Sequence, residues 1–165
     1  MPNENRLLRS LRAVQKLPRF MQTWARSKAI GRVVKFVGTA NIQAQRLDRS
    51  SAVFTLKNKT KVQNHIRGIH AMATGLLAET ATGLAVGCHL PDDKLPLLKS
   101  IRIDYQKIVQ GNLRAEVSLP EHIIQAVVSE PRGSAIIPVT ITDSAGNEPV
   151  SCEVTWAWKL KKQLM

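Results

Sequence analysis

Acidic residues are scarce in this 165-residue chain: 12 Asp and Glu stand against 24 Lys and Arg, giving a net charge of +12 and a pI near 10.3. A surplus of that size implies an anionic partner, whether nucleic acid, a membrane surface or a phosphorylated small molecule. Cysteine is also scarce. Cys88 and Cys152 are too few for a disulfide framework and lack metal-ligand spacing. The four histidines, at 65, 70, 89 and 122, form no H-E-x-x-H pair. No structural zinc is expected, and the chain reads as a protein of a reducing cytoplasm. The seven aromatic residues come with no nucleic-acid recognition motif, which argues against nucleic acid as the partner. A Gly-rich phosphate loop and a Ser-His-Asp constellation are both missing. No apolar run follows the first basic residues, so no secretory signal is expected.

The remaining composition is that of one globular domain, with 44% apolar and 22% charged residues and enough length for a sizeable core. The charge is unevenly placed. Residues 1–36 hold nine basic side chains and one acid, Glu4, and so carry most of the net charge. Arg6, Arg9, Arg12, Lys16 and Arg19 recur at steps of three or four, which stacks them on one helical face. Leu7, Leu8, Leu11, Val14 and Leu17 take the other. Pro18 closes this helix, and Phe20 to Ala29 forms a second short piece before Gly31. Such a basic amphipathic segment packs its leucines on the domain, contacts anionic lipid or an acidic partner, or serves as an organelle transit peptide. The expected organisation is a basic helical extension over 1–30 and a second unit over 31–165.

Beyond Gly31 the period changes to two. Val34, Phe36, Gly38, Ala40 and Ile42 alternate with more polar neighbours and predict a strand, as does the stretch Ser51 to Leu56. Ile101, Ile103 and Tyr105 predict another, then Ala115, Val117 and Leu119. The cleanest run is Val150, Cys152, Val154, Trp156, Trp158 and Leu160. Turns are expected at Gln110-Gly111-Asn112, Pro131-Arg132-Gly133 and Ser144 to Asn147.

One segment does not alternate. Ile69 to Cys88 is apolar almost throughout, with His70 and Glu79 its only strongly polar members, and is too long for a strand. A membrane span is allowed by length alone. Glu79 at its midpoint and the soluble character of the flanking strands favour a helix buried within protein. Gly75, Gly83 and Gly87 would let a sheet approach it closely. The expected fold class is therefore α+β: a curled antiparallel sheet around one long buried helix, the hotdog architecture, with an N-terminal helical extension.

The stretch Asn64 to Glu79 resembles the active-site segment of hotdog-fold acyl-CoA thioesterases, most of all the phenylacetic-acid-pathway type and a related uncharacterised branch. That family's pattern is an Asn, six residues to a His-Gly-Gly, and an acid nine residues after the His. Asn64, His70 and Glu79 fall on those positions, and Leu77-Ala78-Glu79 reproduces the local context. Two departures stand out: Ala71-Met72 replaces the Gly-Gly, and the acid is Glu where Asp is usual.

The resemblance implies a cofactor-free thioesterase, with coenzyme A entering only as part of its substrate. It implies Glu79 as general base or nucleophile, Asn64 as the residue that positions water or thioester, and the backbone N–H of Ala71 as oxyanion donor. His70, Gly68, Met72 and Arg67 would meet substrate, His70 either at the entrance or as a helix cap. Ala71 and Glu79 are about 12 Å apart along one helix, so one subunit cannot supply both to one carbonyl. The family's answer is a homo-oligomer, a dimer or dimer of dimers, with the acid of one subunit facing the oxyanion site of the other. Arg67, Lys99, Arg102 and Arg132 are candidate phosphate contacts, and Leu76, Leu77, Trp156 and Trp158 candidate walls for the acyl tail. Two alternatives stay open: a non-catalytic acyl-CoA or acyl-carrier binder, and a hydroxyacyl dehydratase, whose His-to-Glu spacing His65 and Glu79 match without its intervening proline.

Overall fold

Alternating runs on both sides of the long apolar segment become strands that wind around it. A computed structural model describes residues 5–161; residues 1–4 of the expected extension, with Glu4, and residues 162–165 lie outside the described residues. Three helices come first: α1 (Arg6–Gln15), α2 (Arg19–Val33) and α3 (Lys35–Ala40). Strands β1 (Gln43–Leu47) and β2 (Ala52–Leu56) lead into the central helix α4 (Ala71–His89). Then come β3 (Lys94–Tyr105), β4 (Leu113–Val117), helix α5 (Glu121–Ser129), β5 (Arg132–Ile137), β6 (Thr140–Asp143) and β7 (Val150–Leu160).

All strand pairs are antiparallel, in the orders β1-β2-β4-β6 and β3-β7-β5. Strands β5 and β6 follow one another across Pro138-Val139, where proline has no N–H to donate to a ladder. One strand path thus passes from one group to the other, and the two groups are halves of one curled sheet. Its two edges are β1 and β3.

Helix α4 has length and apolarity enough to cross a membrane, and it is the core helix of this fold. Leu77, Ala78, Ala81, Ala85 and Val86 are buried in one cluster with Phe54, Leu56, Ala115, Val117, Val154 and Trp156. Small residues on α4 let the sheet come close. At Gly83 a Cβ would stand 2.5 Å from Cζ2 of Trp156, so only glycine fits beneath that ring. Of the other two glycines expected to admit the sheet, Gly75 faces Ile103 of β3, whereas Gly87 faces Leu7 of α1.

Helix α1 is fastened to the domain at its start. Oδ1 of Asn5 accepts from Leu8 N–H at 2.9 Å, while Nδ2 donates to the carbonyls of Gly87 and Leu90 at 2.7 and 2.8 Å. One side chain thus satisfies orphan groups at the start of α1 and the end of α4. Leu8 and Leu11 are buried, so α1 packs its leucine face inward.

The two sheet edges differ. The β1 edge is closed by α2: Nη1 of Arg26 donates to the carbonyls of Ala44 and Gln45 at 2.9 and 2.7 Å, and Ala44 N–H donates to Oγ of Ser27 at 2.9 Å. Along β3 no strand of the described residues pairs with the outer side. A bulge between Leu98 and Ser100 keeps Leu98, Ile101, Ile103 and Tyr105 on the helix-facing side, opposite Trp156, Val154, Cys152 and Val150. Leu98, Ile101 and Tyr105 remain exposed there.

Three expectations are corrected. The strand expected from Val34 to Gln43 is helix α3 followed by β1, so the helical preface ends at Ala40 and not at residue 30. Asn41 in the left-handed region, with Ile42 N–H bonded to the Val37 carbonyl, ends that helix. Gly31 and Gly38 bring α2 and α3 into backbone contact, a non-local packing that overrides the local alternation. Helix α5 stands where no element was expected. The turn expected at Pro131-Arg132-Gly133 narrows to the step between α5 and β5, which already includes Arg132 and Gly133.

Candidate active site

The loop before α4 is built around Asn64. Its Oδ1 accepts from the N–H groups of Ile66 and Gly68 at 3.1 and 3.0 Å, and its backbone N–H donates to the Gly68 carbonyl at 2.9 Å. The Asn64 amide oxygen is therefore occupied in shaping the loop, as Asx side chains commonly are. Arg67 takes a left-handed φ of 62° and its carbonyl accepts from Asn58 Nδ2 at 3.1 Å. Its side chain and that of His65 are exposed.

His70 is the N-cap of α4. Its Nδ1 accepts from Met72 N–H at 3.0 Å, which leaves the ring's proton on Nε2 when neutral. The His70 carbonyl takes the N–H groups of Ala73 and Thr74 at 2.9 and 3.1 Å. One first-turn amide is left over: the N–H of Ala71 has no hydrogen-bond partner among the described residues. Ala71 is partly buried, and its N–H stands at the positive end of a 19-residue helix, suited to a developing negative charge. On the other side, Tyr105 of β3 donates its hydroxyl to the Ala71 carbonyl at 2.7 Å. The alternating run revealed Tyr105 as a strand residue only; its bond to the helix start carries no local sequence signal.

Met72, Leu76 and Glu79 follow at steps of four and three and form the uncovered stripe of α4, which ends one turn on where the Trp156 ring covers Gly83. Met72 is 63% exposed and shares a cavity of about 260 Å³ with Phe36, Thr39, His70 and Leu76. Glu79 lies one turn beyond Leu76, half-buried, and burial pushes its carboxyl pKa up; the Thr80 hydroxyl draws it partway back. An acid raised this way in an otherwise apolar helix costs stability and marks a functional position. The stripe is bordered by β3, whose Ile103 meets Gly75.

Other expected site residues are dispersed. Leu76 borders the cavity, whereas Leu77, Trp156 and Trp158 are core residues. Lys99, Arg102 and Arg132 are exposed, and Arg102 pairs with Asp104 at 3.2 Å. Among the described residues no three His, Cys, Asp or Glu side chains gather as a metal site requires.

Residues 22–158 match the family model DUF4442, a domain of unknown function. The chain belongs to this family. No curated protein sequence matches this DUF4442 member. Among solved structures it resembles a Pseudomonas aeruginosa protein described as of unknown function and a probable thioesterase, with TM-score 0.74 and 17% identity over 87% of this chain and 97% of that one. A Haemophilus influenzae thioesterase superposes with TM-score 0.66 and 13% identity, covering 81% and 90% of the two chains. A Staphylococcus aureus thioesterase mutant gives 0.64 and 15%, covering 76% and 98%. These likenesses establish the fold of the DUF4442 chain as the hotdog.

Proposed function

We propose that this protein hydrolyses an acyl-CoA thioester at a site shared by two copies of the chain. The observation that carries the reading is Glu79, a half-buried carboxyl of raised pKa on the uncovered stripe of α4, beside a sheet edge that no strand of the described residues covers. The unpartnered Ala71 amide supports it, as do the hotdog structures described as thioesterases. Closure of the β1 edge by Arg26 leaves β3, with exposed Leu98, Ile101 and Tyr105, as the edge for a second copy. Two-fold pairing there turns two separated half-sites into two complete ones, with Glu79 of one copy opposite Ala71 of the other.

In the proposed reaction the Glu79 carboxylate takes a proton from water as the water oxygen bonds to the thioester carbonyl carbon. The carbonyl oxygen becomes an oxyanion facing the Ala71 N–H, an interaction typically worth about 3 kcal/mol. Collapse breaks the C–S bond, and the proton passes from Glu79 to the departing sulfur. Asn64 acts through the loop it shapes, and His70 through the cap that orients the first turn. Met72 at the mouth sets which acyl groups enter.

Thiol release from aryl-, short-, medium- and long-chain acyl-CoAs, run beside Glu79→Gln, tests this. Turnover that falls about 100-fold or more in a folded Glu79→Gln dimer is the expected result. Tight acyl-CoA binding with no turnover by the wild type would replace hydrolysis with a binding role.

A further inference from the structure

Three of the seven aromatic side chains lie exposed on the helical preface: Phe20 at 84%, Trp24 at 61% and Phe36 at 60%. Phe54, Trp156 and Trp158 are buried. Phe20, Trp24, Lys28 and Arg32 follow at steps of four along α2, on the face opposite Arg26 and Ile30, which α2 turns to the domain. Against this face Gly38, Asn41, Ile42 and Gln43 border a concavity of about 580 Å³ that also takes in Phe20, Trp24, Lys28 and Arg32. No acid occurs between Glu4 and Asp48, a stretch that includes ten basic residues. Lys16, Arg19, Lys28, Arg32 and Lys35 form no ion pair among the described residues.

From this juxtaposition we infer that the outer face of α2, with the start of α3, docks on an anionic phospholipid bilayer. Aromatic rings flanked by cations suit the headgroup boundary: the rings enter the acyl margin while Lys and Arg meet lipid phosphates. A nucleic-acid surface fits less well, because the exposed rings come with no recognition motif. Helix α1 offers a different surface, since its Leu8 and Leu11 are buried and Asp92 accepts from both the Arg6 backbone N–H and the Arg9 guanidinium. The docking face belongs to the helix that closes the β1 edge, opposite β3, so membrane contact and dimerisation through β3 are compatible.

The test is sedimentation of the full-length protein with phosphatidylcholine vesicles, with and without phosphatidylglycerol, read together with tryptophan fluorescence. Trp24 is the exposed tryptophan, so its emission should shift to the blue when anionic vesicles are added, and 0.5 M salt, an arbitrarily chosen strong-screening condition of about 4 Å Debye length, should reverse the shift. Lys28→Glu/Arg32→Glu should weaken partitioning by about tenfold or more. Phe20→Ser/Trp24→Ser should weaken it comparably, with circular dichroism and melting unchanged because all four side chains face solvent. Equal binding to neutral vesicles would overturn the inference, as would binding that both double variants retain. So would retention on an RNA or DNA oligonucleotide without vesicle binding. Acyl-CoA turnover is read in a separate soluble assay, so failure of either reading leaves the other intact.

Discussion

The hydroxyl of Tyr105 reaches across from β3 to the carbonyl of Ala71, 2.7 Å away, and so ties the open sheet edge to the first residue of α4. The bond links the two features on which a shared site depends: the edge that would receive a second copy and the amide that would receive the oxyanion. Burial raises the Tyr105 pKa, so the hydroxyl stays a donor across the neutral range.

Tyr105→Phe removes that bond and little else. A net hydrogen bond is worth about 1 kcal/mol, so the melting temperature is expected to fall by about 2–4 °C, and acyl-CoA turnover by about fivefold if that energy holds the Ala71 amide in place. A fall in turnover accompanied by dimer dissociation in sedimentation would move the role of Tyr105 from the helix start to the interface.

Glu79 makes stability depend on pH in a definite direction. Its folded pKa lies above the ordinary 4.5, raised by burial, so the folded state holds the proton more tightly than the unfolded chain. Below 4.5 both states are protonated and the contribution is fully present; it is lost as pH rises through the folded value. Glu79→Gln is therefore expected to gain in melting temperature over wild type from pH 5 to 7, with the difference closing near pH 4. The acid limb of the turnover profile should also lie above the usual glutamate range. A melting difference independent of pH would remove the buried-carboxylate account.

Arg26 guards an edge. Burial lowers its guanidinium pKa, yet Nη1 satisfies two β1 carbonyls, and removing it leaves those carbonyls without a donor. Arg26→Ala should cost about 2–4 kcal/mol and promote association through β1, since unpaired edges template further strands. Denaturant unfolding and light scattering read the two effects. A variant of wild-type stability would assign the edge protection to Ser27 alone.

Gly83 and Trp156 test how tightly the core helix and sheet fit. A Cβ at residue 83 would lie 2.5 Å from Cζ2 of Trp156, whose Nε1 is fixed by a 2.8 Å bond to the Thr82 hydroxyl, so the ring cannot simply slide. Gly83→Ala is expected to lose about 1–3 kcal/mol despite alanine's better helix propensity.

Where the sequence was readable, one period acted alone. Val150 to Leu160 alternates without interruption and is β7 from end to end, and the non-alternating apolar segment is α4 within two residues. At Val34 to Gln43 two forces disagree. The alternation suggests a strand, but within α3 Val37 and Ala40, three apart, are the residues buried, while Val34 and Phe36 are exposed. The Gly31–Gly38 contact that settles the matter joins two different helices. The candidate site was legible in the same uneven way. The resemblance pointed to Ala71 and Glu79; the Ala71 N–H has no partner among the described residues, and Glu79 is half-buried on the stripe of Met72 and Leu76. The Asx turn that occupies Asn64 and the reach of Tyr105 both depend on loops whose folded path no spacing records.

Helix α5 escapes the sequence reading because its end is capped from far away. Lys94, at the start of β3, is 6% exposed, and its Nζ donates to the carbonyls of Val127, Val128 and Glu130 at 2.9, 2.9 and 2.6 Å. A cation there satisfies orphan carbonyls and complements the negative end of the helix, a role usually filled within the helix's own last turn. Burial lowers the Lys94 pKa, opposed by the charges of Asp93 and Glu130, and the three carbonyls match the three N–H donors of an ammonium. Lys94→Met keeps the stem and removes the donors, leaving three carbonyls unmet at a cost of about 2–4 kcal/mol. Hydrogen exchange is the sharper readout. Amides of α5 should lose protection ahead of those in α4, because α5 loses its C-terminal cap while the α4 core is untouched. Uniform loss of protection across both helices would mean that Lys94 stabilises the whole fold and not the end of α5.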